Sequence, residues 1–326
     1  MKMKGNFMNK KIAVFFAVGL GVMMFTQNPS ACLADNVGTT TASFLRIEQG
    51  ARAVAMGSAF TGIADSADAV FYNPAGIAQI TRKEMSVTYS ALYSDIQSSF
   101  LSFVSPVSKT ASIGIGVTYV TFDKIESMDG SGNSLGMIKP TNMAAAVYYS
   151  EKLQDIIVGG GIKFIKQDYV AEKGNAYAVD GGILYKMSDN LSLGAAVFNL
   201  GPKAKLGDAS NKLPSNIRGG IGYKLSKNVT IGCDAEKPVD LDTRIHIGCE
   251  YELSRSLVAR VGYQSLKDIG LTAGVGLRSE MTTTEDETWG QASEPKKTSY
   301  MISIDYAYVS YANLDATHRI SAGIKF

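Results

Sequence analysis

Residues 50–76, GARAVAMGSAFTGIADSADAVFYNPAG, decide how the rest of the chain is read. The stretch is built from alanine, glycine and small polar residues, has no clean two-residue alternation, and runs into Phe71, Tyr72, Asn73 and Pro74. Gly50, Gly57, Gly62 and Gly76 allow close approach and positive φ, while Pro74 fixes its own φ and pushes Asn73 out of the helical region. Short helices broken by turns are therefore expected over residues 35–82, with the Phe-Tyr-Asn-Pro step as a sharp stop. Such a segment is shaped to pack inside something, and the plain alternative is a loop ahead of the first strand.

The chain beyond residue 82 supplies the container. Ala111, Ile113, Ile115, Val117 and Tyr119 share one face of a strand, and Ser112, Gly114, Gly116 and Thr118 share the other. The same period of two returns at residues 269–279 and 300–310. Counted this way, strands fall at 83–94, 96–106, 110–123, 141–152, 155–168, 174–187, 190–200, 213–225, 228–236, 242–253, 256–265, 269–279, 299–310 and 317–326, fourteen in all. Short polar turns such as Met187-Ser188-Asp189-Asn190 alternate with longer stretches at 124–140 and 201–213. An outer-membrane barrel has this asymmetry between its rims.

A soluble β-sandwich predicts alternation too. The face opposite the aliphatic one carries Arg218, Asp234, Glu250, Arg260 and Asp305, with Lys224 and Arg319, which suits a water-filled lumen. The chain end then discriminates. THRISAGIKF alternates to a terminal aromatic, Phe326, and resembles the signal by which the barrel-assembly machinery recognises its clients. The expected fold is therefore all-β: a 14-stranded antiparallel transmembrane β-barrel over residues 83–326, with the helical plug of residues 35–82 inside. Two stretches resist the scheme. Residues 280–298, with Trp289, are long and charged yet fall on the short-turn side, and Phe100 and Leu101 put bulk on both faces of one strand.

The first 34 residues carry Lys2, Lys4, Lys10 and Lys11 and no acid, then an apolar run of about 14 residues, then a small-residue exit at Ala34. That run is shorter than the roughly 20 residues of a membrane-spanning helix. The expectation is a signal peptide cleaved near Ala34, leaving a protein in the outer membrane of a Gram-negative-type cell, with outer-membrane lipid as a partner. Removing the leader takes 4 of 32 basic residues and none of 30 acids, so the net charge moves from +2 to −2. No basic surplus remains for nucleic acid. Mean hydropathy of +0.03 argues weakly against a membrane, because a barrel strand shows lipid only every second residue.

No catalytic residue, cofactor or metal site is expected. Past the leader only His246 and His318 remain, with no histidine pair at metal spacing and no Ser-His arrangement for nucleophilic chemistry. Paired charges at Asp180, Asp234, Glu250 and Asp305 against Arg218, Arg260 and Arg319 suit a structural ladder or a hold on the plug. Cys233 and Cys249 sit on neighbouring strands, which leaves open a cross-strand disulfide or two small lipid-facing side chains.

The string at residues 50–76 resembles the N-terminal signature of the PorV/PorQ family, itself similar to FadL-type hydrophobic-compound channels, whose hatch also carries an Asn-Pro-Ala step. The resemblance implies a barrel plugged by its own N-terminus, with Arg52, Asn73, Pro74, Ala75 and Gly76 as hatch or gate residues. In FadL-type channels hydrophobic ligands enter from outside and leave sideways beside a kinked strand. Gly159, Gly160 and Gly161 are the candidates for such a kink here, and the alternative is that they let the wall approach the plug. In PorV-like members the resemblance implies instead a docking component that accepts secreted proteins. The expected function is transport of hydrophobic small molecules, with docking for protein secretion or surface attachment as the alternative.

Overall fold

The computed structural model describes residues 38–128, 130–169, 172–266, 269–285, 296–311 and 315–326. Strands β1 (Glu84–Ala91), β2 (Gln97–Pro106) and β3 (Ala111–Thr121) lead into a small hairpin, β4 (Ile125–Met128) and β5 (Ser134–Ile138). The wall resumes with β6 (Thr141–Leu153), β7 (Ile156–Asp168), β8 (Lys173–Lys186) and β9 (Leu191–Leu200), and a second small hairpin follows, β10 (Ala204–Leu206) and β11 (Ala209–Asn211). The remaining strands are β12 (Asn216–Lys224), β13 (Val229–Pro238), β14 (Arg244–Glu252), β15 (Leu257–Leu266), β16 (Ile269–Glu285), β17 (Lys296–Tyr311) and β18 (Thr317–Lys325). Apart from the two hairpins, the other fourteen form one closed antiparallel barrel in which β1 pairs with β18, Val87 opposite Ala322.

Alternation is what makes these segments strands. In β1 every second residue is buried, and its outward residues Met85, Val87 and Tyr89 are exposed. The outer wall continues in Ile113, Ile115, Val147, Ile162, Val261 and Leu271, all exposed. So many exposed large apolar side chains on one surface are what lipid contact requires. No described helix is long and apolar enough to cross a membrane, which says nothing against crossing by strands.

The two rims differ for a local reason. On one, serines at 108, 188, 226 and 254 accept hydrogen bonds from backbone N–H groups two or three residues on, as in Thr110, Asn190, Asn228 and Ser256, and close tight turns. On the other rim, residues 124–140 and 201–213 are not plain loops, since each folds a hairpin of its own. Of the stretch at 280–298, the described residues 280–285 and 296–298 extend the ladder: Glu280 pairs with Met301 and the register runs on to Glu285 with Lys296. Its threonines 282–284 favour strand, and the polar residues hide the period. Trp289 and the leader at 1–34 lie outside the described residues.

Phe100 is the inward residue of its ambiguous pair, buried, with Leu101 facing out. The two cysteines are offset, not opposed. Cys233 pairs with Ile247 and Cys249 with Ile231, and both thiols are free.

Inside the ring lies the chain from residue 40 to 80, with the helices Ser43–Arg46, Ala51–Ala55, Ala69–Tyr72 and Pro74–Gln79. It reaches strands all round the circumference: Ala51 N donates to Ser321, Gly57 N to Thr272, and Phe60 and Thr61 N to Asp234. From the wall, Ser102 donates to Asp68, Ser150 to Ala75 O and Ser192 to Gly62 O. The segment meets the ring at glycines. A β-carbon on Gly159 would stand 2.6 Å from the Pro74 backbone, one on Gly222 2.7 Å from Gly62 O, and Gly182, Gly194, Gly232, Gly248 and Gly262 face residues 56–74 in the same way. Gly222, Gly232, Gly248 and Gly262 are direct cross-strand partners, so the contact forms a continuous belt.

Candidate functional site

The small-residue string at 50–76 builds a joint between inner segment and wall. Asn73 begins the helix Pro74–Gln79 with its Oδ1 accepting from Ala75 N at 3.1 Å, and Pro74 occupies the first helical position, where the missing N–H costs nothing. The Asn73 Nδ2 donates to Thr61 O and Ile183 O, both at 3.0 Å, so one amide ties two turns of the inner segment to β8. Gly76 packs against Ala64 with no room for a side chain.

Arg52 is the ionic half of the joint. Its Nε donates to Glu250 at 2.8 Å and its Nη1 to Asp65 at 2.6 Å. Glu250 also accepts from Arg260 Nε at 2.6 Å, and Arg260 Nη1 reaches Asp305 at 2.7 Å. Burial opposes ionising Asp65, and the Arg52 guanidinium reverses that and holds the carboxyl below its usual range. Asp68, by contrast, is pushed up to about 6 by desolvation, which its hydrogen bond from Ser102 only partly offsets. Asp234 accepts from two backbone N–H groups of the inner segment, Phe60 and Thr61. All five lumen charges, Arg218, Asp234, Glu250, Arg260 and Asp305, are inward and buried.

The glycine triplet of β7 does not interrupt its strand. Gly159 pairs with Ser150 and Gly182, Gly160 with Tyr149 and Gly181, and Gly161 with Tyr148 and Asp180, in unbroken register on both sides. The register thus shows no bulge at the triplet, which suits the alternative that these glycines let the wall approach the inner segment. Gly159 makes room for Pro74, and Gly161 makes room for the Tyr148 ring. A register shift does occur one strand pair away, between Val179 and Gly181 against β9, where Asn199 has φ 58° and its N donates to Asp180. Phe326 N donates to Lys83 O at 2.9 Å, fastening the chain end to the start of the first strand.

At the long-loop rim Phe44 and Leu45 pack with Val120, Ile165 and Leu213, and Thr41 donates to Gln167; inward of them a small cavity remains between the inner segment and the wall. Val70 and Phe71 of the segment and Phe100, Tyr148 and Phe198 of the wall give it an apolar lining, while Arg46, Glu48, Lys163, Asn216, Arg218 and Glu236 bring polar groups to the same space. Lys163 is held by Asp180 at 2.9 Å and by Asn199 Oδ1 at 2.7 Å, and Tyr148 donates to the same Asp180. His246 lies between Gly57 O at 2.8 Å and Glu236 at 3.2 Å, and donor atoms of Glu48, Glu236 and His246 fall within 4.8 Å of one another. Arg218, 3.7 Å from Glu236, supplies positive charge beside that cluster. Sequence reading placed Asp180 and Arg218 on the inward face but missed their partners: Glu48, Lys163, Asn199 and Glu236 come from four separate parts of the chain, and no spacing links them.

Among curated proteins no sequence matches the chain significantly. Solved structures match its fold at low identity. The toluene transporter TodX of Pseudomonas putida shares 13% identity and a TM-score of 0.54, covering 85% of this chain and 97% of its own. The toluene transporter TbuX of Ralstonia pickettii gives 13% and 0.55 over 85% and 97%. A FadL homologue of Pseudomonas aeruginosa gives 11% and 0.51 over 83% and 96%. The model of the family described as type IX secretion system protein PorV matches residues 31–237, from ahead of the inner segment through β13. With the signature string, the inner segment and most of the wall inside that match, the chain belongs to the PorV family.

Proposed function

We propose that the protein is a non-enzymatic barrel of the outer membrane that takes up small molecules with an apolar body through its long-loop mouth. The observation that carries this reading is an aromatic-walled cavity inside the ring, lined by Phe71, Phe100, Tyr148 and Phe198. The fold shared with the two toluene transporters supports it. Residues 40–80 serve as hatch, with Arg52 and the Asn73 to Gly76 joint as its fastenings. Onward passage requires that segment to move off the glycine belt. Cleavage of the leader near Ala34, assembly guided by Phe326 and lipid around the wall belong to the same proposal. Uptake of toluene and of palmitate into cells or liposomes carrying the protein is expected to exceed that of empty controls, and equal uptake refutes the reading.

Family membership favours a second reading, docking of secreted proteins at the long-loop rim through the β4–β5 hairpin, whose Ile125, Met128, Leu135 and Met137 are exposed. Co-purification of protein partners from native membranes that is lost on deleting residues 125–138 separates it from transport.

A further inference from the structure

Resting on the small-molecule reading of the cavity, we infer that its ligand is not a bare hydrocarbon but an aromatic acid that also carries a hydroxyl or amino group. An apolar ligand filling this space would leave the unpartnered polar atoms of Arg46, Arg218 and Asn216 without a hydrogen bond. A buried donor or acceptor left unpaired costs free energy that a partner on the ligand would recover. Several of these groups have capacity left. Arg46 Nε and Arg218 Nε are buried donors without a partner, and Asn216 Oδ1 is a buried acceptor without one, and all three side chains line this one cavity. The Lys163 ammonium uses Asp180 and Asn199 and has a third proton to give. Donors on Arg46, Arg218 and Lys163 ask for an anionic acceptor, and Asn216 Oδ1 asks for a donor. The rings of Phe71, Phe100 and Phe198 supply apolar contact for the body of such a ligand. A small side-chain rotation by the arginines and Asn216 lets the ligand's polar ends replace the missing partners.

The test is equilibrium binding to the purified full chain in lipid nanodiscs, with 4-hydroxyphenylacetate, phenylacetate, ethylbenzene and palmitate as probes. The wild-type protein is expected to hold 4-hydroxyphenylacetate about tenfold tighter than phenylacetate and tighter still than ethylbenzene, because each lost partner leaves a buried polar group unpaired. Asn216→Leu is expected to weaken 4-hydroxyphenylacetate more than phenylacetate and so to narrow the difference between them. If ethylbenzene or palmitate binds as tightly as the hydroxy acid, this inference is overturned while the uptake reading stands. If no probe binds, both fall. The ranking on the wild-type protein decides the matter even where the variant does not assemble.

Discussion

The two ends of the lumen are built from opposite materials. Toward the tight-turn rim the wall offers Gly159, Gly182, Gly194, Gly222, Gly232, Gly248 and Gly262, and the inner segment lies backbone to backbone against them. Toward the long-loop rim the wall offers Phe100, Tyr148, Lys163 and Phe198, and a cavity remains between them and Leu45, Arg46, Val70 and Phe71 of the same segment. Side-chain size on inward positions therefore sets where the barrel is sealed and where it is hollow. The segment is stapled at the sealed end by bonds to β6, β8, β9 and β13, and at the long-loop rim Phe44 and Leu45 pack with Val120, Ile165 and Leu213 while Thr41 donates to Gln167, so the hollow lies between two packed stretches of the same segment.

The largest effect should come from filling the belt. Gly222→Val puts a branched side chain where even one carbon would come within 2.7 Å of Gly62 O. It is expected to cost about 3 kcal/mol or more, or to block assembly, because a backbone neighbour cannot rotate away. Ala146→Val on the hollow side enlarges an inward residue facing the cavity and should stay within about 1 kcal/mol. Urea unfolding of the heat-modifiable band compares the pair, and equal costs would mean that the belt is not what seals the lumen.

Next in size is the ionic staple. Arg52→Ala leaves Asp65 without its guanidinium and removes one of two close arginines from buried Glu250. The expected loss is about 2 kcal/mol, carried by buried Glu250, since Asp65 is about a third exposed and water screens its loss. Arg278, on the rim and a quarter exposed, is the contrast: Arg278→Ala should cost under about 1 kcal/mol. A double substitution with Glu250→Gln should recover part of the Arg52 loss.

This contrast between ends was only half legible in sequence. All fourteen strands could be placed because each alternates against lipid, and the same alternation put Arg218, Asp234, Glu250, Arg260 and Asp305 on the inward face. The ladder at 280–285 and 296–298 stayed hidden because beyond the lipid zone a strand needs no apolar residue on either face. The glycine triplet misled for a related reason: a glycine that weakens a strand and one that admits a neighbour read alike, and only the position of Pro74 tells them apart. The cavity was illegible, since it forms between elements far apart in the chain, and its shape depends on where the inner segment leaves the wall.

Asp68 tests the segment from inside, with an effect of opposite sign. Its carboxyl sits at about 6 in the folded state, above the ordinary value near 4. The folded protein thus binds this proton more tightly, and stability falls as pH rises from about 4 to about 6, then levels. Asp68→Asn should keep the acceptor for Ser102, remove that slope, and stabilise the barrel at pH 7 by about 2 kcal/mol. Unfolding midpoints at pH 4 and pH 7 measure it, and a variant less stable at pH 7 would show that the charge itself holds the segment.

The smallest effect separates two neighbours within the β7 triplet. Gly160 points outward, where an added carbon meets only Asp180 O at 3.3 Å, whereas one on Gly159 meets Pro74 and Ala75 at 2.6 Å. Gly160→Ala should change stability by less than about 1 kcal/mol and leave ligand uptake at the wild-type rate, because alanine suits a strand better than glycine. Gly159→Ala should weaken the barrel clearly. If instead Gly160→Ala slowed uptake while the fold held, β7 would have to open during transport, and the sealed end of the lumen would be a door after all.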